Sequence, residues 1–347
     1  MAVADGILRD RPSNRGPIDV SLEIGWVENG PGLAQMGRES TMTTSRANGS
    51  RLGCLALVIC LLGTGEGFGA ATTLRWKFKP GEVFRYESNQ TTVLKVKDPT
   101  GPEVNQTLTL IMDLTWTVKG VDPQGVATLT QTIDRIKTTA TTPFGKFAID
   151  SKESVDAAGP AGPLFKMLIG AEFGFKMNPQ GELSEIKLSE KLLSTLRGDN
   201  EPAGAQGQFS EAGLKNMLTQ MGVVLPGGEV DAGKSWSRKL AIPAGPNGQT
   251  RDIEQSYTFK GPEAADKPLD AIDMATKFEP VAADPNIPVT IKTQEATGRF
   301  LFDNDNGRIE SSKVTEKVEL SGQIQGKEIA QSNETITVMT LLRDKTP

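Results

Sequence analysis

The sequence predicts an α+β protein that is mainly β: a curved antiparallel sheet with two or three short helices. Three observations carry that prediction. In QTLTLIMDLTWTVKG the even positions Leu108, Leu110, Met112, Leu114, Trp116 and Val118 are apolar, and Thr107, Thr109, Asp113, Thr115, Thr117 and Lys119 fill most odd ones. That is the period of a strand with one wet face. Threonine-rich, β-branched runs separated by turn residues continue to the C-terminus, a composition that favours sheet. Helical periods are confined to three short stretches.

Taken in order, FRYESNQTTVLKV keeps the same phase at its ends through Phe84, Tyr86, Leu94 and Val96, and the polar turn KDPTGPEVN folds it against the strand just described as a hairpin. Strands are expected in GVATLTQTIDRIKTTAT, GKFAIDSKES, SWSRKLAI, DIEQSYTFKG, MATKFEPV, VTIKTQEATGRFLFD, RIESSKVTEKVELSG and NETITVMTLL. In the penultimate strand the apolar phase changes between Ile309 and Val314, which predicts a bulge near Ser311 and Ser312. The best helix is SEAGLKNMLTQMG, with Ser210 as N-cap, Leu214, Met217, Leu218 and Met221 on one face and Gly222 as the stop. PLFKMLIG from Pro163 and SEKLLSTLR from Ser189 are shorter candidates, and GDNEPAGAQGQ reads as a linker.

The N-terminus carries an export pattern. Residues 52–65, LGCLALVICLLGTG, contain no charge, follow Arg46 and Arg51, and precede the small-residue run GFGAAT. A cut between Ala71 and Thr72 places Gly69 and Ala71 where signal peptidase wants small side chains; Ala70 is the second choice. The stretch is short for a membrane span, which needs about 20 apolar residues. Cys60 follows Ile59 and Cys54 has its apolar run behind it, so neither fits a lipid-anchor signal. Residues 1–41 are expected to be an early-assigned start or an extension, residues 42–71 the signal peptide, and residues 72–347 a β-rich exported domain. The competing reading is a chain tethered by an uncleaved signal. The cleaved chain would hold 32 Lys plus Arg against 36 Asp plus Glu, since residues 1–71 take six basic and seven acidic groups from totals of 38 and 43. That mild excess gives no basic footprint for nucleic acid.

An internal echo points to two related halves, 72–198 and 229–347, joined by a helical linker. KPGEVFRY resembles DAGKSWSR, matching Gly81 with Gly233 and Phe84 with Trp236; PQGELSEIK resembles DNGRIESSK, matching Gly181 with Gly307.

The chain has no histidine, which removes Ser-His-Asp and Cys-His catalysis and imidazole metal sites. Its two cysteines both sit in the apolar stretch, so a disulfide framework or a thiolate zinc site is not expected. Gly228, Gly233, Lys234 and Ser235 fit the P-loop spacing, but that chemistry needs a helix after the loop. Here Trp236, Leu240 and Ile242 alternate with polar neighbours, as in a strand. Nucleotide binding at Gly228–Ser235 therefore stands only as an alternative. The run Asp303 to Gly307 could suggest a calcium loop, yet its glycine is out of place and Asn306-Gly307 reads as a hairpin turn. Ser184 and Lys187 have the S-x-x-K spacing, but on a strand residues three apart point to opposite faces. Paired carboxylates distant in sequence leave a secreted hydrolase as the enzyme alternative. A membrane barrel is disfavoured by two tyrosines in the whole chain and the ending LLRDKTP.

LRWKFKPGEVFRYE after the signal, the mid-chain LPGGEVDAGKSW and the late FLFDNDNGRIESS together resemble a family of exported bacterial proteins known only as a domain of unknown function. The resemblance spans residues 72–342. It implies export and a β-rich fold and carries over no catalytic residue. Long antiparallel strands with few helices are also similar, in architecture alone, to periplasmic lipoprotein carriers. The expected function is a non-enzymatic binding or scaffold role at the cell envelope. Its partner would be a lipid, another apolar ligand or an envelope protein, and no cofactor, metal or catalytic residue is assigned. Whether helices cover the apolar face fully or leave a cavity is open at this stage.

Overall fold

Hairpins dominate this chain because alternating runs of strand length are separated by short turns. The computed structural model describes residues 71–97, 103–143, 145–153, 162–197, 210–220, 222–243, 250–263, 268–278, 289–324 and 327–343. The signal peptide, the GDNEPAGAQGQ linker and Met221 lie outside these. The elements are β1 (Thr72–Thr73), β2 (Val83–Lys97), β3 (Val104–Val121), β4 (Ala127–Thr142), β5 (Gly145–Asp150), α1 (Gly162–Leu168), β6 (Glu172–Met177), β7 (Leu183–Leu188), α2 (Glu190–Arg197), α3 (Glu211–Gln220), β8 (Glu229–Val230), β9 (Ser235–Pro243), β10 (Thr250–Glu263), β11 (Leu269–Phe278), β12 (Val289–Asp303), β13 (Arg308–Ile324) and β14 (Lys327–Leu342).

The expected α+β, mainly β class is the observed one. The three helices fall where their periods placed them, and Ser210 Oγ accepts from the Gly213 amide at 3.1 Å as an N-cap. Strand β6 was not expected from EFGFKM: it is six residues long, interrupted by Gly174, and lies between two helix candidates. The bulge in β13 falls at Glu310, next to the expected serines, because Leu301 pairs with Ser311 while Phe302 pairs with Ile309.

Twelve strands form one antiparallel sheet, in the order β7-β6-β4-β3-β2-β14-β13-β12-β11-β10-β9, with β5 pairing β4; β1 pairs with β8 separately. The two ends of the sequence meet in the middle, where β14 pairs with β2 from Ala330 opposite Lys97 to Leu342 opposite Arg85. Laid flat, ten strand spacings of about 4.8 Å would hold the edges β7 and β9 about 48 Å apart. Yet the short segment Gly222–Leu225 touches both edges. The Leu225 amide donates to Gln180 O in the β6–β7 turn at 2.7 Å, Trp236 Nε1 on β9 donates to Val224 O at 2.7 Å, and Arg238 on β9 donates to Gly222 O at 3.2 Å. Four residues span at most about 14 Å. The sheet is therefore curled into an incomplete barrel, with α3 beside β7 on the way to that segment. Strand twist and register shifts at Asp113/Leu114, Phe259/Gly261 and Leu301/Phe302 favour the curl.

One end of the barrel is filled with aromatic rings. Trp76 stacks on Phe78 (centroids 5.9 Å apart) and Trp116 (6.4 Å) and meets Phe302 edge-on at 5.7 Å. The chain between β1 and β2 crosses this end: the Trp76 amide donates to Pro179 O at 2.9 Å and the Lys77 amide to Gly307 O at 3.0 Å. Two glycines permit the crossing. Gly181 (φ +90°) and Gly307 (φ +63°) sit in turns so close to it that a Cβ would strike Trp76 Nε1 at the first and the Lys77 backbone at the second.

The residues of the internal echo occupy matching places. The Gly81 amide donates to Val118 O at 2.8 Å and the Gly233 amide to Phe259 O at 2.7 Å, each from the turn before a hairpin to that hairpin's second strand. Gly181 and Gly307 occupy the two turns that hold the crossing segment.

Candidate functional site

The inner face of the sheet is the side carrying Phe84, Tyr86, Leu114 and Trp116, and antiparallel register carries it from strand to strand in transverse rows. Near the aromatic end the row Phe259, Ile272, Phe300, Ser312, Met339 and Ser88 is buried throughout. Two rows farther along, Gln255, Thr276 and Ala296 are still buried, whereas Glu316, Thr335, Thr92 and Leu108 are half-buried. At the far end Ile291, Leu320, Gln331, Val96 and Val104 are all half-buried. Length explains the gradient. Strands β2, β3 and β12 to β14 have 15 to 18 residues, about 50–60 Å. Helices of 7 to 10 residues are about 10–15 Å long and cover one end of the inner face.

The far half of the inner face mixes chemistries. Leu94, Val96, Val104, Leu108, Val318 and Leu320 supply apolar surface among Thr92, Gln106, Gln331 and Asn333. Thr92 and Thr335 hydrogen-bond across strands at 3.0 Å. Among the described residues, Trp116 Nε1, Gln131 Oε1, Thr138 Oγ1, Thr276 Oγ1 and Asn333 Oδ1 are buried inner-face atoms without a hydrogen-bond partner. Buried polar atoms of this kind require a water or a ligand to satisfy them.

At the β9 edge the inner face carries a cation. Arg238 Nε donates to Gln255 Oε1 at 2.8 Å, and Tyr257 Oη donates to the same oxygen at 3.1 Å. Burial pushes the Tyr257 hydroxyl above its ordinary value, opposed by the Arg238 charge. No carboxylate among the described residues lies within ion-pair distance of Arg238; its Nη2 donates to Gly222 O at 3.2 Å. The sequence carried a signal here: Arg238 shares its strand phase with Trp236 and Leu240, a charge on an otherwise apolar side.

The outer face is built for water. Asp113, Arg135, Asp150 and Lys152 form one charged network, and Glu263, Asp273, Lys260 and Arg299 another. Such rows do not suit a lipid-facing band. No helix among the described residues is long and apolar enough to cross a membrane.

The motif residues lie apart from this face's far half. Within Gly228–Ser235 the chain forms β8 and then enters β9, so no helix N-terminus cradles a phosphate there. Asp303 Oδ1 and Oδ2 accept from Asn306 N and Nδ2 at 3.1 and 2.7 Å, which closes the Asn306-Gly307 turn. Ser184 and Lys187 both lie on β7, but the expectation that they face opposite ways is corrected. A register shift with Glu185 at φ +49° leaves Ser184 opposite Lys176 and Lys187 opposite Gly174, in neighbouring rows of the outer face. Asp270 has its pKa raised by burial and then by the Asp305 charge. This carboxylate pair sits at the aromatic end, where Lys77 Nζ donates to Asn304 O at 2.7 Å. Two hollows lie elsewhere: about 220 Å³ between α1 and α2 beside Gly170, and about 420 Å³ on the outer face over Gly298.

Part of the chain matches a family model that has no assigned function. Residues 124–267 match the model of "Family of unknown function (DUF6263)". The expected resemblance to a domain of unknown function is met over this stretch, which contains LPGGEVDAGKSW; the other two motifs fall outside it. No curated protein matches the chain. Among solved structures, lipovitellin aligns at 13% identity over 78% of this chain and 26% of its own, with a TM-score of 0.45. This chain thus spans about a quarter of that one. DynF from the dynemicin biosynthesis pathway of Micromonospora chersina aligns at 8% identity, covering 79% and 86%, with a TM-score of 0.21. A LolA superfamily protein from Nitrosomonas europaea aligns at 9% identity, covering 77% and 91%, with a TM-score of 0.15. Scores of this size carry no argument about what the chain does.

Proposed function

We propose that this chain is an exported binding protein of the cell envelope that holds an apolar or amphipathic ligand on the far half of its inner sheet face. The observation that carries the reading is the gradient along that face: strands whose inner side is a sealed core at the aromatic end present a half-buried, mixed-polarity surface toward the other end. A curled sheet shields a long apolar molecule from water on the side it faces, and the gain rises with the apolar area so removed. Export rests on the sequence pattern at residues 42–71, and Thr72, the residue a cut would expose, is the first of β1. The hydrolase alternative has a raised carboxylate near a second one at Asp270 and Asp305, at the aromatic end rather than on the half-buried face.

Native mass spectrometry of protein exported through its own signal and purified without detergent tests both parts. A denatured mass beginning at Thr72 and a native adduct of several hundred daltons that is lost on denaturation are the expected results. A mass beginning at Met1 overturns the export reading, and a bare native protein that also fails to take up added amphiphiles overturns the ligand reading.

A further inference from the structure

We propose that Arg238, with Gln255 and Thr276, forms a head-group site for an anionic amphiphile, a carboxylate or phosphate ester carried on an apolar tail. This inference rests on the inner-face binding reading above and names the class of ligand. The three residues are consecutive members of one inner-face row: Arg238 pairs with Gln255, and Gln255 with Thr276. A guanidinium has five N–H donors, and the described contacts use Nε on Gln255 Oε1 and Nη2 on Gly222 O, with the Tyr257 hydroxyl also within hydrogen-bond reach of the fork. No carboxylate among the described residues lies within ion-pair distance of the fork, so the site holds a positive charge faced by a neutral amide, the Tyr257 hydroxyl and the Gly222 carbonyl. Thr276 is 6% exposed and its Oγ1 has no partner, a second polar group beside Gln255 awaiting one. Farther along the strands lie Leu240, Ile253, Val318 and Leu320, on the apolar side of the face. A head group at Arg238 would therefore lay its tail along strands away from the aromatic plug. Arg prefers forked recognition of carboxylate and phosphate oxygens, which fixes the sign and shape of the group it would take.

The test is displacement of a neutral fluorescent apolar dye from the full exported chain by dodecanoate, dodecyl phosphate and dodecanol, in the wild type and in Arg238→Gln. The expected result is that both anions displace the dye about tenfold or more better than dodecanol, as a charge-assisted hydrogen bond predicts. In R238Q all three should compete at the level of dodecanol. Equal competition in the wild type, or a preference that survives R238Q, overturns the head-group site while leaving the inner-face reading standing. Failure of all three to displace the dye removes the inner-face reading itself. Inorganic phosphate at the same concentration is expected to displace nothing; if it releases dodecyl phosphate, the site takes free anions and the amphiphile assignment falls. Should R238Q fail to fold by circular dichroism, Thr276→Val carries the test, since it keeps volume and leaves Arg238 in place. It is expected to weaken dodecyl phosphate severalfold relative to dodecanol, and an unchanged ratio overturns the site.

Discussion

The two ends of the sheet are made of the same strands and held by different forces. At the aromatic end Trp76, Trp116, Phe84, Phe175 and Phe302 interlock, two glycine turns hold the crossing segment, and the inner rows are dry. At the far end β2, β3, β13 and β14 continue for several more residues with their ladders intact and their inner sides half-buried. Backbone hydrogen bonds and polar cross-strand pairs such as Thr92 with Thr335 keep that end in register. The difference teaches that stability and binding surface have been separated along the strand axis: one end contributes the core and the other extends from it as a rigid, incompletely buried surface.

Substitutions should break this contrast in graded fashion. Trp116→Ala removes a ring that meets Tyr86, Phe175 and Trp76, and is expected to cost about 3–5 kcal/mol in chemical denaturation. A cost below about 1 kcal/mol would mean that the aromatic end is not the core. Gly307→Ala forces a side chain into the Lys77 backbone at a positive φ and should cost about 2–3 kcal/mol. The same denaturation curves would read it, with a near-neutral outcome meaning that the crossing segment is held elsewhere. Leu320→Ala, on the half-buried far end, is expected to cost about 1 kcal/mol or less while weakening uptake of an apolar dye. A loss as large as that of Trp116 would erase the proposed difference between the ends.

The smallest effect concerns the outer face. Arg135 beside Asp150, with the Lys152 amide donating to it, holds that carboxyl well below the usual carboxylate range. A lowered folded-state pKa contributes stability that is present above the ordinary value near 4 and lost as pH falls below it. Asp150→Asn should therefore flatten the loss of stability below about pH 4 and leave the slope between pH 6 and 8 unchanged. Parallel slopes for the two proteins below pH 4 would show that the Arg135 network does not tie β5 to β4.

Much of the fold was legible because alternation is local. The phase of Leu108 to Val118 gave both strand and inner face, and Ser210 and Ser189 marked helix starts by capping chemistry. The candidate site was less legible. Arg238 stood in an apolar phase, a visible irregularity, but its meaning depends on Gln255 and Thr276 being its neighbours in one row, and those lie on two later strands. The bulge that turns Ser184 and Lys187 to one face depends on a single left-handed residue, Glu185, that no periodicity marks.

The sequence by itself determined the mainly β class, the export pattern, the turn at Asn306-Gly307 and the absence of imidazole chemistry, because each depends on residue type and short-range spacing. Only the tertiary structure decided that β14 closes on β2, that the sheet curls until one short segment bridges its two edges, and that the inner face passes from a dry end to a half-buried one. Those outcomes depend on pairing between residues more than two hundred positions apart and on element lengths compared in three dimensions, neither of which leaves a local mark in the chain.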